Sequence, residues 1–148
     1  MLKGRLIHPQ ILEALGRAGH GSKVLIADGN YPFSSKRGPN AQLVNLNLSP
    51  GIVTCTQVLE AIVSAVPVEA ALVMKYAKVG PYAVKHDPPI WAEYRRLLAA
   101  GGSRIGLRAI ERFAFYRAGA DGDVVLTVAT GEQAIYANLL LTLGVLRT

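Results

Sequence analysis

Short, unbroken apolar runs alternate along this chain with stretches whose apolar residues recur at helical spacing, and few folds accommodate both. Lys23–Ala27, residues 70–74 and Val124–Ala129 have the composition of strands buried on both faces, as in a parallel sheet flanked by helices. Between them, Ile11, Leu12, Leu15 and Ala18 form one helical stripe. Val58, Leu59, Ile62, Val63 and Val66 form a second, and Ile90, Trp91, Tyr94, Leu97 and Leu98 a third. The punctuation agrees with this division. Pro9 suits a first helical turn and Gly19 an end, Pro67 closes the second helix, and Gly101-Gly102 closes the third. A further strand is expected over 41–48, after a polar loop that carries Lys36 and Arg37, and a short helix over 110–117. The last apolar run, 136–145, reads equally as helix or strand. The predicted class is α/β: one domain, residues 1–148, with a layered, mostly parallel sheet flanked by helices.

Composition narrows the partners. Of 148 residues, 51% are hydrophobic and only 18% charged, which is more apolar surface than one small globule readily hides. Oligomerisation or a ligand groove is therefore expected. The apolar content excludes disorder. The lone Cys55 excludes a disulfide framework and reads as a small buried hydrophobe. Pro9, Gln10 and Glu13 interrupt the N-terminus before a signal-peptide core forms, and Gln57, Glu60, Pro67 and Glu69 interrupt the most apolar region. A cytoplasmic protein without a membrane partner is expected. The net charge of +6 comes from scattered side chains. Arg95, Arg96, Arg104, Arg108, Arg112 and Arg117 form the densest stretch, which reads first as a solvated helix face and, as the sharper alternative, as a stretch from which one or two arginines meet an oxygen-rich ligand. No aromatic interleaving or nucleic-acid motif accompanies them, so nucleic acid is not expected as a partner.

No phosphate loop, nucleotide fingerprint, nucleophile elbow or zinc spacing is present, and the expected site uses neither metal nor cofactor. Three short blocks remain. Gly19-His20-Gly21 places a histidine, which titrates near neutral pH, in a turn where glycines permit close approach; Asp28 follows eight residues later at a strand's C-terminal end. On its own such a histidine is an ordinary surface residue, and His8 and His86 lack even that setting. Ile110-Glu111-Arg112-Phe113-Ala114-Phe115-Tyr116 joins three aromatics to an arginine, which suits either a core or a sugar-stacking wall. Thr130-Gly131-Glu132 leads to Tyr136-Ala137-Asn138, where an extended backbone would point a phenol and an amide the same way.

Together these blocks resemble the ribose pyranase and fucose mutarotase family, which interconverts anomeric and ring forms of free sugars. The likeness runs over nearly the whole chain and includes the opening Pro-helix, the Asp28-Gly29-Asn30-Tyr31-Pro32 loop and the Trp91-Ala92-Glu93-Tyr94 helix. It implies a monosaccharide substrate and a ring-like homo-oligomer, octameric or decameric, with sites between subunits. It implies His20 as the general acid and Tyr116 as a second catalytic group, with Asp28, Glu69, Arg112, Tyr136 and Asn138 binding the sugar. Arg112 and its aromatics favour the fucose branch, while Tyr136-Ala137-Asn138 is nearer the ribose type. L-Fucose is therefore the expected substrate. Ribose-type pyranose/furanose isomerisation and a non-catalytic sugar-binding subunit are the alternatives.

Overall fold

The computed structural model describes all of residues 1–148. Helix α1 spans Pro9–Arg17 and is followed by β1 (Lys23–Ala27), β2 (Gln42–Asn45), α2 (Cys55–Val63) and β3 (Val68–Met74). Then come α3 (Pro89–Ala100), β4 (Leu107–Ile110), α4 (Arg112–Gly119), β5 (Val124–Ala129) and β6 (Leu139–Leu143). The six strands form one sheet in the order β2-β5-β1-β6-β3-β4. Five run in one direction, and β6 runs antiparallel to both its neighbours, β1 and β3. The reversal follows from chain length. Residues 130–138 are fewer than the dozen or so that a parallel crossover requires, so β6 starts at the end of the sheet where β5 stops.

Local chemistry sets the helix boundaries. Nδ1 of His8 accepts the Ile11 N–H ahead of Pro9, and Arg17 pairs with Glu13 at 3.0 Å one turn back. Thr54 and Gln57 form a reciprocal capping box at the start of α2. Pro67 does not end that helix, which stops at Val63 with Ser64 as its cap. Gly101 ends α3 where a side chain could not fit: a Cβ there would lie 2.7 Å from the Cβ of Val63 on α2. The short helix expected from residue 110 begins at Arg112 instead, because Leu107–Ile110 pairs with β3 as an edge strand. Arg108 therefore lies on that edge and not on a helix face.

The two faces of the sheet are covered unequally. Val24 and Ile26, Leu126 and Val128, and Leu139 and Leu141 pack with Ile11, Leu59, Ile62, Tyr94 and Leu98, so α1, α2 and α3 cover one face. Leu25, Leu140 and Met74 face the other way and meet Phe115 of α4 and Tyr31. No helix is long and apolar enough to cross a membrane.

Candidate active site

A cavity of about 760 Å³ opens at the C-terminal ends of β1, β3 and β4, beside the start of β6. That is the end of an open α/β sheet where ligands collect. β1 delivers Asp28 to its floor. The Asp28 backbone N–H donates to Oδ1 of Asn138 at 2.8 Å, and Nδ2 of Asn138 donates to the Asp28 carboxylate at 2.9 Å. The other carboxylate oxygen accepts the Asn30 N–H at 3.0 Å. Asp28 is only 3% exposed, and burial pushes its carboxyl up to about 6 despite those hydrogen bonds.

The β4–α4 junction supplies a second wall. The Glu111 carboxylate caps α4 by accepting the Phe113 and Ala114 N–H groups at 2.9 and 3.1 Å, and this hydrogen bonding holds it below the usual carboxylate range. Arg112 follows, its guanidinium 5.6 Å from the Tyr116 ring centre and 5.9 Å from that of Phe113. Tyr31 lies behind Tyr116, buried among Phe115 and Leu25 with its hydroxyl against Gly119.

Tyr136 closes the cavity on the β6 side, but not in the geometry expected. Its backbone is left-handed, with φ of 57°, so Tyr136 and Asn138 do not project by simple strand alternation. Both nevertheless line the cavity. The Tyr136 hydroxyl accepts the Ala77 N–H at 3.0 Å and donates to the Tyr82 carbonyl at 2.9 Å. Its own carbonyl accepts Nε1–H of Trp91 at 2.9 Å.

Five of the seven residues singled out in the sequence therefore share one cavity: Asp28, Arg112, Tyr116, Tyr136 and Asn138. His20 and Glu69 do not. They lie at the opposite end of the sheet, where Nε2 of His20 sits 3.0 Å from both Glu69 carboxylate oxygens. The side chains are 60% and 44% exposed, so the pair is open to solvent. The five residues of β1 separate it from Asp28, about 16 Å of strand at ~3.3 Å per residue. Within one chain, then, Asp28 cannot orient His20.

The cavity also holds residues that sequence reasoning did not single out: Lys75, Tyr76 and Tyr82 after β3, and Tyr31 and Glu111 inside the recognised blocks. Aromatics recurring in a Gly- and Pro-rich loop were the available clue for the first group. No three His, Cys, Asp or Glu side chains cluster as a metal would require. Cys55 is fully buried with Sγ 3.3 Å from Oγ1 of Thr130, and burial pushes its thiol up to about 12, so it is an inert packing residue.

Comparison with known proteins places the chain in a family. The model of the RbsD / FucU transport protein family matches residues 1–146. The chain belongs to this family. Human fucose mutarotase is 35% identical over 98% of this chain and 94% of its own length. The D-ribose pyranase of Cronobacter sakazakii is 28% identical over 98% and 99%. The crystal structure of the Streptococcus pneumoniae fucose mutarotase in complex with L-fucose superposes with a TM-score of 0.78 at 27% identity, covering 95% of each chain. The RbsD / FucU fold is thus present over essentially the whole chain, with the cavity at one end of its sheet and the His20–Glu69 pair at the other.

Proposed function

We propose that residues 1–148 form a cofactor-free sugar mutarotase acting on a free monosaccharide, L-fucose first among them, in the cytoplasm. The observation that carries this reading is the Asp28–Asn138 clamp on the floor of a cavity with room for a monosaccharide, flanked by Arg112 and Tyr116. These groups offer a buried acceptor, an amide, a forked cation and a phenol, the set that holds and polarises hydroxyls. Met74, Val79, Pro81 and Ile135 add an apolar lining that suits the methyl group of a deoxy sugar. The named activities of the relatives at 35% and 28% identity support the reaction class.

The reaction opens and recloses a hemiacetal. One group removes the proton from the anomeric hydroxyl as the bond from C1 to the ring oxygen breaks, and another gives a proton to that ring oxygen. The open aldehyde turns about its C1–C2 bond and the ring recloses on the other face. The uncatalysed reaction already proceeds in water, so two positioned groups and a few kcal/mol suffice. Tyr116 is one such group. His20 is the other, contributed by an adjacent copy of the chain. Its exposed ring cannot reach its own cavity but is free to enter a neighbour's, with Glu69 orienting it and available to a sugar hydroxyl. Asp28, Arg112 and Asn138 complete the sugar contacts, and Tyr136 shapes the wall beside them through its hydroxyl bonds to Ala77 and Tyr82. A ring of subunits supplies such a neighbour at every site, and the exposed Leu48, Phe113 and Leu146 supply apolar area for its contacts.

Saturation-transfer NMR on the α and β anomers of L-fucose, D-ribose and D-galactose tests the proposal. Exchange accelerated most for fucose is the expected result, and fastest exchange on ribose would transfer the assignment to pyranase-type isomerisation. Sugar binding without accelerated exchange would leave a non-catalytic binding subunit.

A further inference from the structure

The segment that follows β3 forms a strap along the cavity. Tyr76, Ala77, Val79, Pro81 and Tyr82 all line the wall. Residues 77–84 close on themselves through the Val84 N–H to the Ala77 carbonyl at 3.0 Å and the Ala83 N–H to the Gly80 carbonyl at 3.2 Å. Gly80, at φ of 91°, allows the turn. Val79 and Tyr82 are largely exposed, 83% and 70%, so burial does little to hold the strap. From Ala77 to Val84, the only hydrogen bonds to the rest of the molecule are the two made with the Tyr136 hydroxyl, one at each leg.

Tyr136 is well placed to act as an anchor. Its left-handed backbone, its carbonyl bond to Trp91 and its ring packed 6.2 Å from that of Tyr76 fix the phenol from three directions. A phenol has one O–H to donate, and here that proton goes to the Tyr82 carbonyl. One acceptor position is taken by the Ala77 N–H. No proton remains for a substrate oxygen while the strap is closed. Two residues further on, Asn138 holds Asp28, so one short segment secures both the strap and the buried carboxylate.

We infer that Tyr136 is a positioning residue whose hydroxyl latches the 77–84 strap against the cavity, so that the strap and not the phenol meets the sugar. The consequence for turnover rests on the mutarotase reading; the latch itself does not.

The experiment joins hydrogen–deuterium exchange with kinetics, using the full chain in its native assembly. In the wild-type protein without sugar, the Ala77 amide should exchange about tenfold or more slowly than those of Val79 and Tyr82, which have no partner. Equal rates would overturn the latch without need of a variant. In Tyr136→Phe, which keeps the ring and removes only the hydroxyl, exchange across 77–84 should rise about tenfold while β1 and β6 stay unchanged. KM for L-fucose should rise about tenfold with kcat within twofold of wild type. An unchanged strap, a loss in kcat at constant KM, or a loosened strap with unchanged KM would each overturn the inference. If the wild type fails to accelerate anomer exchange, the mutarotase reading falls, and the exchange rate of Ala77 still decides the latch.

Discussion

Asn138 meets Asp28 with both ends of its amide, accepting the backbone N–H at 2.8 Å and donating to the carboxylate at 2.9 Å. The clamp fixes the carboxylate, yet it does not offset burial, because the Asp28 carboxyl rises from 3.8 to about 6. Below pH ~4 the carboxyl is protonated in folded and unfolded chains alike. Between ~4 and ~6 the unfolded chain ionises while the folded one retains its proton, so stability falls as pH rises through this window. The full shift corresponds to about 3 kcal/mol. Glu111, held below its usual range, contributes a slope of opposite sign, so the quantity to measure is the difference between wild type and Asp28→Asn. Urea midpoints taken from pH 4 to 7 should converge or cross, with Asp28→Asn gaining relative to wild type as pH rises. Parallel profiles would show that Asp28 ionises normally.

Tyr31 and Gly119 make a second, purely structural case. The Tyr31 hydroxyl is buried without a protein hydrogen-bond partner, and a Cβ at Gly119 would lie 2.6 Å from it. Tyr31→Phe removes a desolvated hydroxyl and should be neutral or stabilising by about 1 kcal/mol. Gly119→Ala drives a methyl into that hydroxyl and should cost about 1–3 kcal/mol in wild type. In the Tyr31→Phe background most of the cost should vanish, a coupling of about 1 kcal/mol or more in a double-mutant cycle. Additive melting shifts would show that the two positions do not press on each other.

Arg112 lies over two aromatic rings, at 5.6 Å from Tyr116 and 5.9 Å from Phe113. Lysine preserves the charge but neither the flat stacking surface nor the fork of donors. Arg112→Lys should therefore raise KM for L-fucose about tenfold while leaving the melting temperature within a few degrees, because the side chain is exposed. NMR exchange rates over a sugar titration give the comparison. Wild-type KM would remove Arg112 from the site.

The parts of the fold legible in the sequence are those where burial leaves no choice. β1, β5 and residues 70–74 of β3 read as largely apolar runs because both faces of the sheet are covered there, whereas Glu69 at the start of β3 is exposed. β4 escaped notice because an edge strand of four residues with Arg108 in it has no alternation to read. Leu139-Leu140-Leu141 has no period at all, so only the short connection from β5 and the two neighbouring strands decide that it is an antiparallel strand. In the site, Asp28 and Asn138 were recognisable singly, but their pairing across 110 residues of sequence was not. His20 shows the opposite limit. Eight positions from Asp28 look close in sequence, yet a strand turns residue count into length. The strap was hidden because its fastening is a side-chain hydroxyl on backbone groups.

That length leads to the decisive prediction about assembly. A site needing His20 and Asp28 together must draw them from two chains, since β1 holds them apart in one. His20→Ala and Asp28→Asn should each fold and each lose accelerated exchange. When the two variants are unfolded, mixed in equal amounts and refolded together, sites pairing an intact His20 from one chain with an intact Asp28 from the next arise by chance. Random assembly into closed rings places about a quarter of sites in that state, so about a quarter of wild-type activity should return. Mixing the folded variants without subunit exchange should restore nothing. If co-refolding also restores nothing, His20 is not delivered across a subunit boundary, and the proton must come from a group already lining the cavity, with Tyr116 and Asp28 the first to test.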